Sequence, residues 1–512
     1  MSSRKGNYIA GIASGTVGTV VAAVIGLWFA PFALHYLDRE EYGIFSLANE
    51  VLTWLLLFDL GISGALMTYA AQLSGKPDRE RLERLASTAF FAQNVVALLV
   101  LMAGIFLSLW FSRFFVIRPE LHASVRRVIV LLTIGVSVQV FMRTFTSLLI
   151  AYQQVHLDNL LGLVAVVLRT ALAAALLVAG FGLMSLALGS LAAAVFTAVL
   201  ACHRTRRLLP RLRIRLASAS WRALGEIVSL GIWFSINTIA NIAVGSLDSI
   251  LAGRLIDIGA VTTLTLSSRA YSLSRGFLLK ISSTAQPMFG QLSGMQANGR
   301  ASEVFGQMLA VSTGLAVLGG GVLFAANGAF VAWWVGDNNY GGWRLDMFLA
   351  LSLVLYCWAM PNRVVLSANG IVRPHVLAKI AEGGLSVIFC IFLGRVYGLP
   401  GIVAGHCLAD LATSVWYLPW LTSQMFRRSF VRFFSEGTSR LPLFLICMIG
   451  IAAAVRMLAL HVGGFWGAAT GFLLASLCGG GMLWLVGWDA TLRTRIIGEA
   501  QHYAVLLLRS RA

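Results

Sequence analysis

Apolar stretches of twenty residues or more recur from one end of this chain to the other. Each is long enough to cross a hydrocarbon core of about 30 Å as an α-helix. The chain therefore reads as an all-α polytopic membrane protein, with about fourteen transmembrane helices predicted. Little sequence is left for a soluble domain: 12% of the 512 residues are charged, against roughly 25% in soluble domains. The first stretch, residues 7–34, follows Arg4 and Lys5. It is longer than a signal-peptide core and lacks a small-x-small cleavage site, so it is expected to be a retained span.

Orientation follows from the basic residues, because cytoplasmic loops retain Lys and Arg. With the N-terminus inside, the inner segments hold most of them, including Arg79, Arg81, Arg84, the dense run from Arg204 to Arg222, Arg427, Arg428, Arg493 and Arg495. The outer segments hold Arg39, Arg113, Arg118, Arg126, Arg127, Arg254 and Arg344. This asymmetry predicts an even number of spans with both termini cytoplasmic. The net charge of +18 lies in these short loops. It forms no basic patch on a soluble face, so nucleic acid is excluded as a partner. All six cysteines fall in apolar stretches without a CxxC pair, which argues against disulfides and metal sites. No cofactor is expected: the triplets Gly319–Gly321 and Gly479–Gly481 lack the Lys-Ser/Thr of a phosphate loop.

Two halves are legible. Gln72-Leu73-Ser74-Gly75 recurs as Gln291-Leu292-Ser293-Gly294, and the same interval of 219 residues places Asp38 on Asp257. The predicted organisation is an N-terminal lobe of six spans (1–202), a basic cytoplasmic linker (203–225), a second six-span lobe (226–422), and two additional helices with a cytoplasmic tail (423–512). An even number of spans per half makes these parallel repeats about an axis along the membrane normal. The basic run in 203–221 serves equally as a stop-transfer signal.

The stretch Tyr36-Leu37-Asp38-Arg39-Glu40-Glu41-Tyr42-Gly43-Ile44-Phe45, followed by Phe58-Asp59-Leu60-Gly61-Ile62, resembles the first loop and second span of bacterial polysaccharide flippases of the Wzx type. The segment Leu247-Asp248-Ser249-Ile250-Leu251-Ala252-Gly253-Arg254-Leu255 and the later Ser268-Arg269-Ala270-Tyr271 are similar to the same family's seventh and eighth spans. The resemblance implies the multidrug/oligosaccharidyl-lipid/polysaccharide exporter fold, with two six-helix lobes around a central cavity, two further C-terminal helices and alternating access. It also implies a bacterial inner-membrane location and an undecaprenyl pyrophosphate-linked oligosaccharide as substrate, in O-antigen, capsule or exopolysaccharide synthesis. Membrane lipid, a polysaccharide polymerase and a chain-length regulator are the implied partners. A proton- or sodium-coupled exporter of small molecules on the same fold is the alternative. An enzyme of the same pathway would need a large outer loop bearing catalytic residues. The longest outer loops, about 112–125 and 328–344, carry no nucleophile, metal or paired-carboxylate motif.

Charges inside the spans sharpen the reading. Arg143, Arg169, Arg269, Arg275, Lys280, Arg363, Lys379, Arg395 and Arg456 fall within predicted helices, with Glu50, Asp59, Asp248, Glu382 and Asp410. At roughly 3 kcal/mol each, these groups facing lipid would cost on the order of 40 kcal/mol, so they must be paired, snorkelled or hydrated. The bases outnumber the acids, which predicts a water-filled cationic cavity; Arg395 and Arg456 are placed toward span ends.

Helical phase selects candidates. Arg269 and Lys280 share a face of the predicted eighth span with Ser272 and Gly276, whereas Arg275 points elsewhere; Asn237, Asn241 and Asp248 align on the seventh. Such a face suits phosphate or carboxylate, or it ties the two helices together by buried polar contacts. Gln139, Arg143 and Ser147 recur at every fourth residue in the fourth span, Arg169 lies in the fifth, and Arg363 follows Pro361 and Asn362 in the tenth. Each arginine fits either substrate contact, since its fork matches phosphate oxygens, or a structural ion pair. Lys379 and Glu382 read as a salt bridge. For coupling, the candidates are Glu50, Asp59, Asp248 and the one-turn pair His406–Asp410, which fits a proton relay or a satisfied polar contact.

Overall fold

The computed structural model describes residues 2–75, 78–152, 154–285, 288–289, 298–431, 438–490 and 492–495; side chains of several helical residues, Asn237 and Asn241 among them, lie outside the description. Among the described residues the ordered structure is helical throughout. Two compact units divide the chain, Met1–Thr262 and Thr263–Ala512.

The first unit contains α1 (Ser2–Tyr36), α2 (Arg39–Trp54), α3 (Ile62–Gly75), α4 (Arg79–Phe114), α5 (His122–Ala151), α6 (Val155–Val178), α7 (Met184–Leu208) and α8 (Trp221–Leu255). The unit boundary falls inside α9 (Ile258–Ser267). The second unit continues with α10 (Arg269–Thr284), α11 (Asn298–Val335), α12 (Trp343–Ala368), α13 (Val372–Tyr397), α14 (Leu399–Ala412), α15 (Ser414–Met425), α16 (Leu441–Val462) and α17 (Gly464–Met482).

Polar caps start helices where the chain re-enters. Asp38 Oδ1 accepts the Glu41 backbone N–H at 2.8 Å, and Glu41 Oε2 accepts the Asp38 N–H at 3.1 Å. This capping box satisfies donors that the first turn of α2 cannot pair. Asp257, at the repeat-equivalent position before α9, likewise accepts the Ala260 N–H at 2.6 Å. Arg118, from the turn before α5, pairs with Asp38 and reaches Glu40 at 2.5 Å.

The sequence leads to an expectation of about fourteen spans. Among the described residues ten helices are long and apolar enough to cross a membrane, and one bent pair makes an eleventh. Three of the expected spans are interrupted within the described residues. The predicted span over 42–73 is broken: α2 runs on as a 3₁₀ turn, Leu55–Asp59, and α3 leaves at 51° to it. Leu60 and Gly61 at the break have φ of 47° and 68°, a left-handed region that a helix cannot continue through. Gly61 is obligatory there, since a Cβ would stand 2.0 Å from the Gly231 carbonyl oxygen of α8. The predicted eighth span, 259–286, divides at Ser268 into α9 and α10, and the twelfth, 401–422, divides at Thr413 into α14 and α15.

In the first unit α5 packs against α4 and α7, and α6 against α7 and α1. At the α6–α7 seam Gly189 lies against the Arg169 carbonyl, where a Cβ would approach to 2.6 Å. In the second unit α11 is the shared partner of α12, α16 and α17, while α13 packs on α14. Outward residues such as Phe392, Ile446 and Leu477 are exposed, as expected of helices whose outer faces meet hydrocarbon.

Candidate functional site

A cavity of about 460 Å³ opens in the first unit, walled by α5, α6 and α7 with Asn49 of α2. Two predicted arginines converge on it, Arg143 from α5 and Arg169 from α6, beside Gln139, Ser190, Thr197 and Asp158. The α5 face turned to the cavity is Gly135, Gln139, Met142, Arg143 and Thr146, a helical stripe at intervals of three and four. Ser147, expected on this stripe, is instead buried in packing at 5% exposure.

Arg143 has a second neighbour behind it. Its Nη1 lies 3.3 Å from Asp59 Oδ2. The same oxygen accepts Ser63 Oγ–H at 2.6 Å, so the carboxylate bridges the break between the 3₁₀ turn and α3. The other oxygen accepts from Gln93 Nε2 of α4 at 3.4 Å. Thr144 Oγ1 donates to Gln93 Oε1 at 2.5 Å, which orients the amide with its NH₂ toward Asp59. Asp59, a coupling candidate, and Arg143, a substrate candidate, are thus one unit. Sequence reasoning passed over Ser63, Gln93 and Thr144; the adjacent amides Gln93 and Asn94 within the long apolar helix α4 were the available signal, since buried polar groups require a partner.

The second unit holds two enclosed ionic clusters. Arg363 of α12 donates to Glu382 Oε2 of α13 at 2.7 Å and to Ser414 Oγ at 2.9 Å; Ser414 donates in turn to Glu382. Lys379 Nζ lies 3.7 Å from Glu382 Oε1, and His406 Nε2 lies 3.9 Å from Asp410 Oδ2 one turn along α14. Glu382 therefore serves two cations.

The other cluster escaped the census of charges. Asp346, in the first turn of α12, accepts from Tyr340 OH at 2.5 Å and from Asn327 Nδ2 at 2.6 Å, and lies 3.2 Å from Arg456 Nη1. Arg456 also donates to the Phe324 carbonyl and to Tyr340 OH, each at 2.5 Å. Arg456, expected toward a span end, is the partner of a buried carboxylate in the first turn of α12.

Arg269 opens α10 and shares that helix with Lys280; both side chains are half-buried. Arg275 lies with its guanidinium 4.0 Å from the Tyr356 ring centroid, a cation–π contact. Glu50 and Asp248 are half-buried. Among the described residues the cysteines form no disulfide.

Residues 8–293, more than half of the chain, match the family described as polysaccharide biosynthesis protein. Among solved structures, the lipid II flippase MurJ in an inward closed conformation is similar over 92% of this chain and 98% of its own, with a TM-score of 0.72 at 12% identity. An inward-facing multidrug resistance MATE family transporter of the MOP superfamily is similar over 82% of this chain and 99% of its own, with a TM-score of 0.62 at 17% identity. A MOP superfamily transporter from Pyrococcus furiosus, described as having a binding pocket of reverse polarity, has a TM-score of 0.53 at 16% identity over 83% of this chain and 95% of its own. No curated protein sequence matched the chain. The fold is that of the MurJ and MATE structures, and the chain belongs to the polysaccharide biosynthesis protein family.

Proposed function

We propose that this protein flips an undecaprenyl pyrophosphate-linked oligosaccharide across the bacterial inner membrane by alternating access, supplying O-antigen, capsule or exopolysaccharide assembly. The observation that carries the reading is the convergence of Arg143 and Arg169 on one membrane-embedded cavity beside Gln139, Ser190 and Thr197. Guanidinium forks match phosphate oxygens, and the hydroxyls and amide suit sugar or phosphate. The pyrophosphate is anionic whatever sugars follow, so one polar site serves the reaction while the isoprenoid tail stays in lipid. Family membership favours a polysaccharide intermediate over other anions. Arg269 and Lys280 on α10 are the further substrate-path candidates, and polymerase and chain-length regulator are the expected partners.

A coupled small-molecule exporter is the second reading. The Asp158 carboxylate in the same cavity favours it, because an acid there would hold a cation, and the MATE transporters share the fold. Proteoliposomes decide between the two. Flipping of a fluorescent undecaprenyl pyrophosphate-linked oligosaccharide, lost in Arg143→Ala with Arg169→Ala, supports the flippase. Uptake of cationic dyes without lipid flipping supports the exporter.

A further inference from the structure

Three arginine–carboxylate pairs within the helices separate by what surrounds the cation. Arg456 is 10% exposed and Arg363 11%, each enclosed with its acid. Arg143 is 30% exposed and lines the cavity, while its partner Asp59 is 7% exposed behind it. Arg143 thus has one face on a fixed internal anion and another on the space where a ligand anion would sit.

The bond to Asp59 is also replaceable. If Arg143 turned away, the carboxylate would keep the Ser63 hydroxyl on one oxygen and the oriented Gln93 amide on the other. It also stands next to the start of α3, whose free N–H groups and dipole favour negative charge. A buried carboxylate with no other donor would bind its arginine permanently, because an unpaired buried charge is costly. Asp346 contrasts: the Arg456 Nη1 that faces it also donates to the Phe324 carbonyl, Nη2 donates to Tyr340 OH, and the guanidinium is only 10% exposed.

We infer that Asp59 is the built-in competitor of the substrate anion: it neutralises Arg143 in the empty cavity, yields it to an entering phosphate group, and reclaims it on release. The inference rests on the anion-binding reading of this cavity. Its physical role is to weaken a site that would otherwise hold an anion too tightly. A transport site must bind well enough to load and loosely enough to unload. By reciprocity, any ligand that draws Arg143 away from Asp59 binds more weakly by the same free energy that Asp59 gains from Arg143.

The test is binding of inorganic pyrophosphate to the purified full chain in detergent, by calorimetry at fixed pH and salt. Asp59→Asn keeps the shape and an acceptor for Ser63 but removes the charge. It is expected to bind about tenfold more tightly than the unaltered protein, within the usual range of coupling between sites. Arg143→Gln should bind more weakly, and adding Asp59→Asn to it should change nothing further. Asp59→Ser, a smaller neutral replacement, should reproduce the gain. Equal or weaker binding by the folded Asp59 variants, with Arg143→Gln and Arg169→Gln still weakened, overturns the competitor role and leaves the anion site standing. Failure of both Asp59 variants to fold also overturns it, since Asp59 would then be a partner that the structure cannot release. Absence of pyrophosphate binding to the unaltered chain, or binding indifferent to Arg143 and Arg169, removes the anion site itself and the competitor with it.

Discussion

Arg456 of α16 and Asp346 of α12 stand 3.2 Å apart in the second unit, with the Tyr340 hydroxyl bonded to both. This contact locks a helix of the C-terminal segment to the helices before it. Removing one member of such a pair strands the other in a buried site, which costs about 3–5 kcal/mol. Asp346→Asn or Arg456→Met should therefore lower the melting temperature in detergent sharply, while the double replacement Asp346→Leu with Arg456→Met recovers much of the loss. Equal destabilisation by single and double variants would show that packing, not charge, holds the contact.

Arg143→Ala and Arg169→Ala should each weaken transport while the protein remains in the membrane at normal level. Hydrogen bonds to charged groups contribute about 1.5–3 kcal/mol, so roughly tenfold to a hundredfold in apparent substrate affinity is expected for each. Flipping rates against substrate concentration in proteoliposomes provide the measurement; an unchanged curve for both variants removes these residues from the path.

Arg269→Ala and Lys280→Ala on α10 are expected to reduce polysaccharide export with membrane levels intact. Full export by the double variant would take α10 out of the substrate path. Loss of the protein from the membrane would assign the two cations a structural role.

Topology is testable directly. Reporter fusions at Arg207 and Arg493 should both give a cytoplasmic signal, because retained basic residues mark the inner side. A periplasmic signal at either site would overturn the arrangement with both termini inside.

The cap before α2 gives a pH effect of known sign. Burial pulls the Asp38 carboxyl upward, but the Glu41 backbone N–H and the Arg118 guanidinium outweigh it and hold the group below its ordinary value. A carboxyl depressed in the folded state stabilises above its unfolded pKa of about 3.9, and that contribution is lost as pH falls through the lower folded value. Asp38→Asn retains the cap but loses the Arg118 ion pair, so it should be modestly less stable than the unaltered protein at pH 7 and lose nothing further on the acid side. Asp38→Ala should cost about 1 kcal/mol at pH 7. Thermal melts of both variants at neutral and acid pH provide the check; equal behaviour of the two would mean that the side-chain cap does nothing.

The sequence by itself determined the class of the molecule, because runs of apolar residues admit one kind of structure in a bilayer and need no knowledge of neighbours. Local signals were equally readable: the Asp38 and Asp257 caps each depend on a bond reaching three residues along. Charges within spans were visible one by one. Their partners were not, since Arg143 meets Asp59 across 84 positions of sequence and Arg456 meets Asp346 across 110. The break at Leu60–Gly61 also escaped, because the carbonyl of Gly231 that demands a glycine there comes from a distant helix. Helical phase alone put Ser147 beside Arg143, whereas packing rotated α5 so that Thr146 faces the cavity. Only tertiary structure decides which buried cation is enclosed with its acid and which looks onto open space, because that depends on what several helices leave unfilled between them.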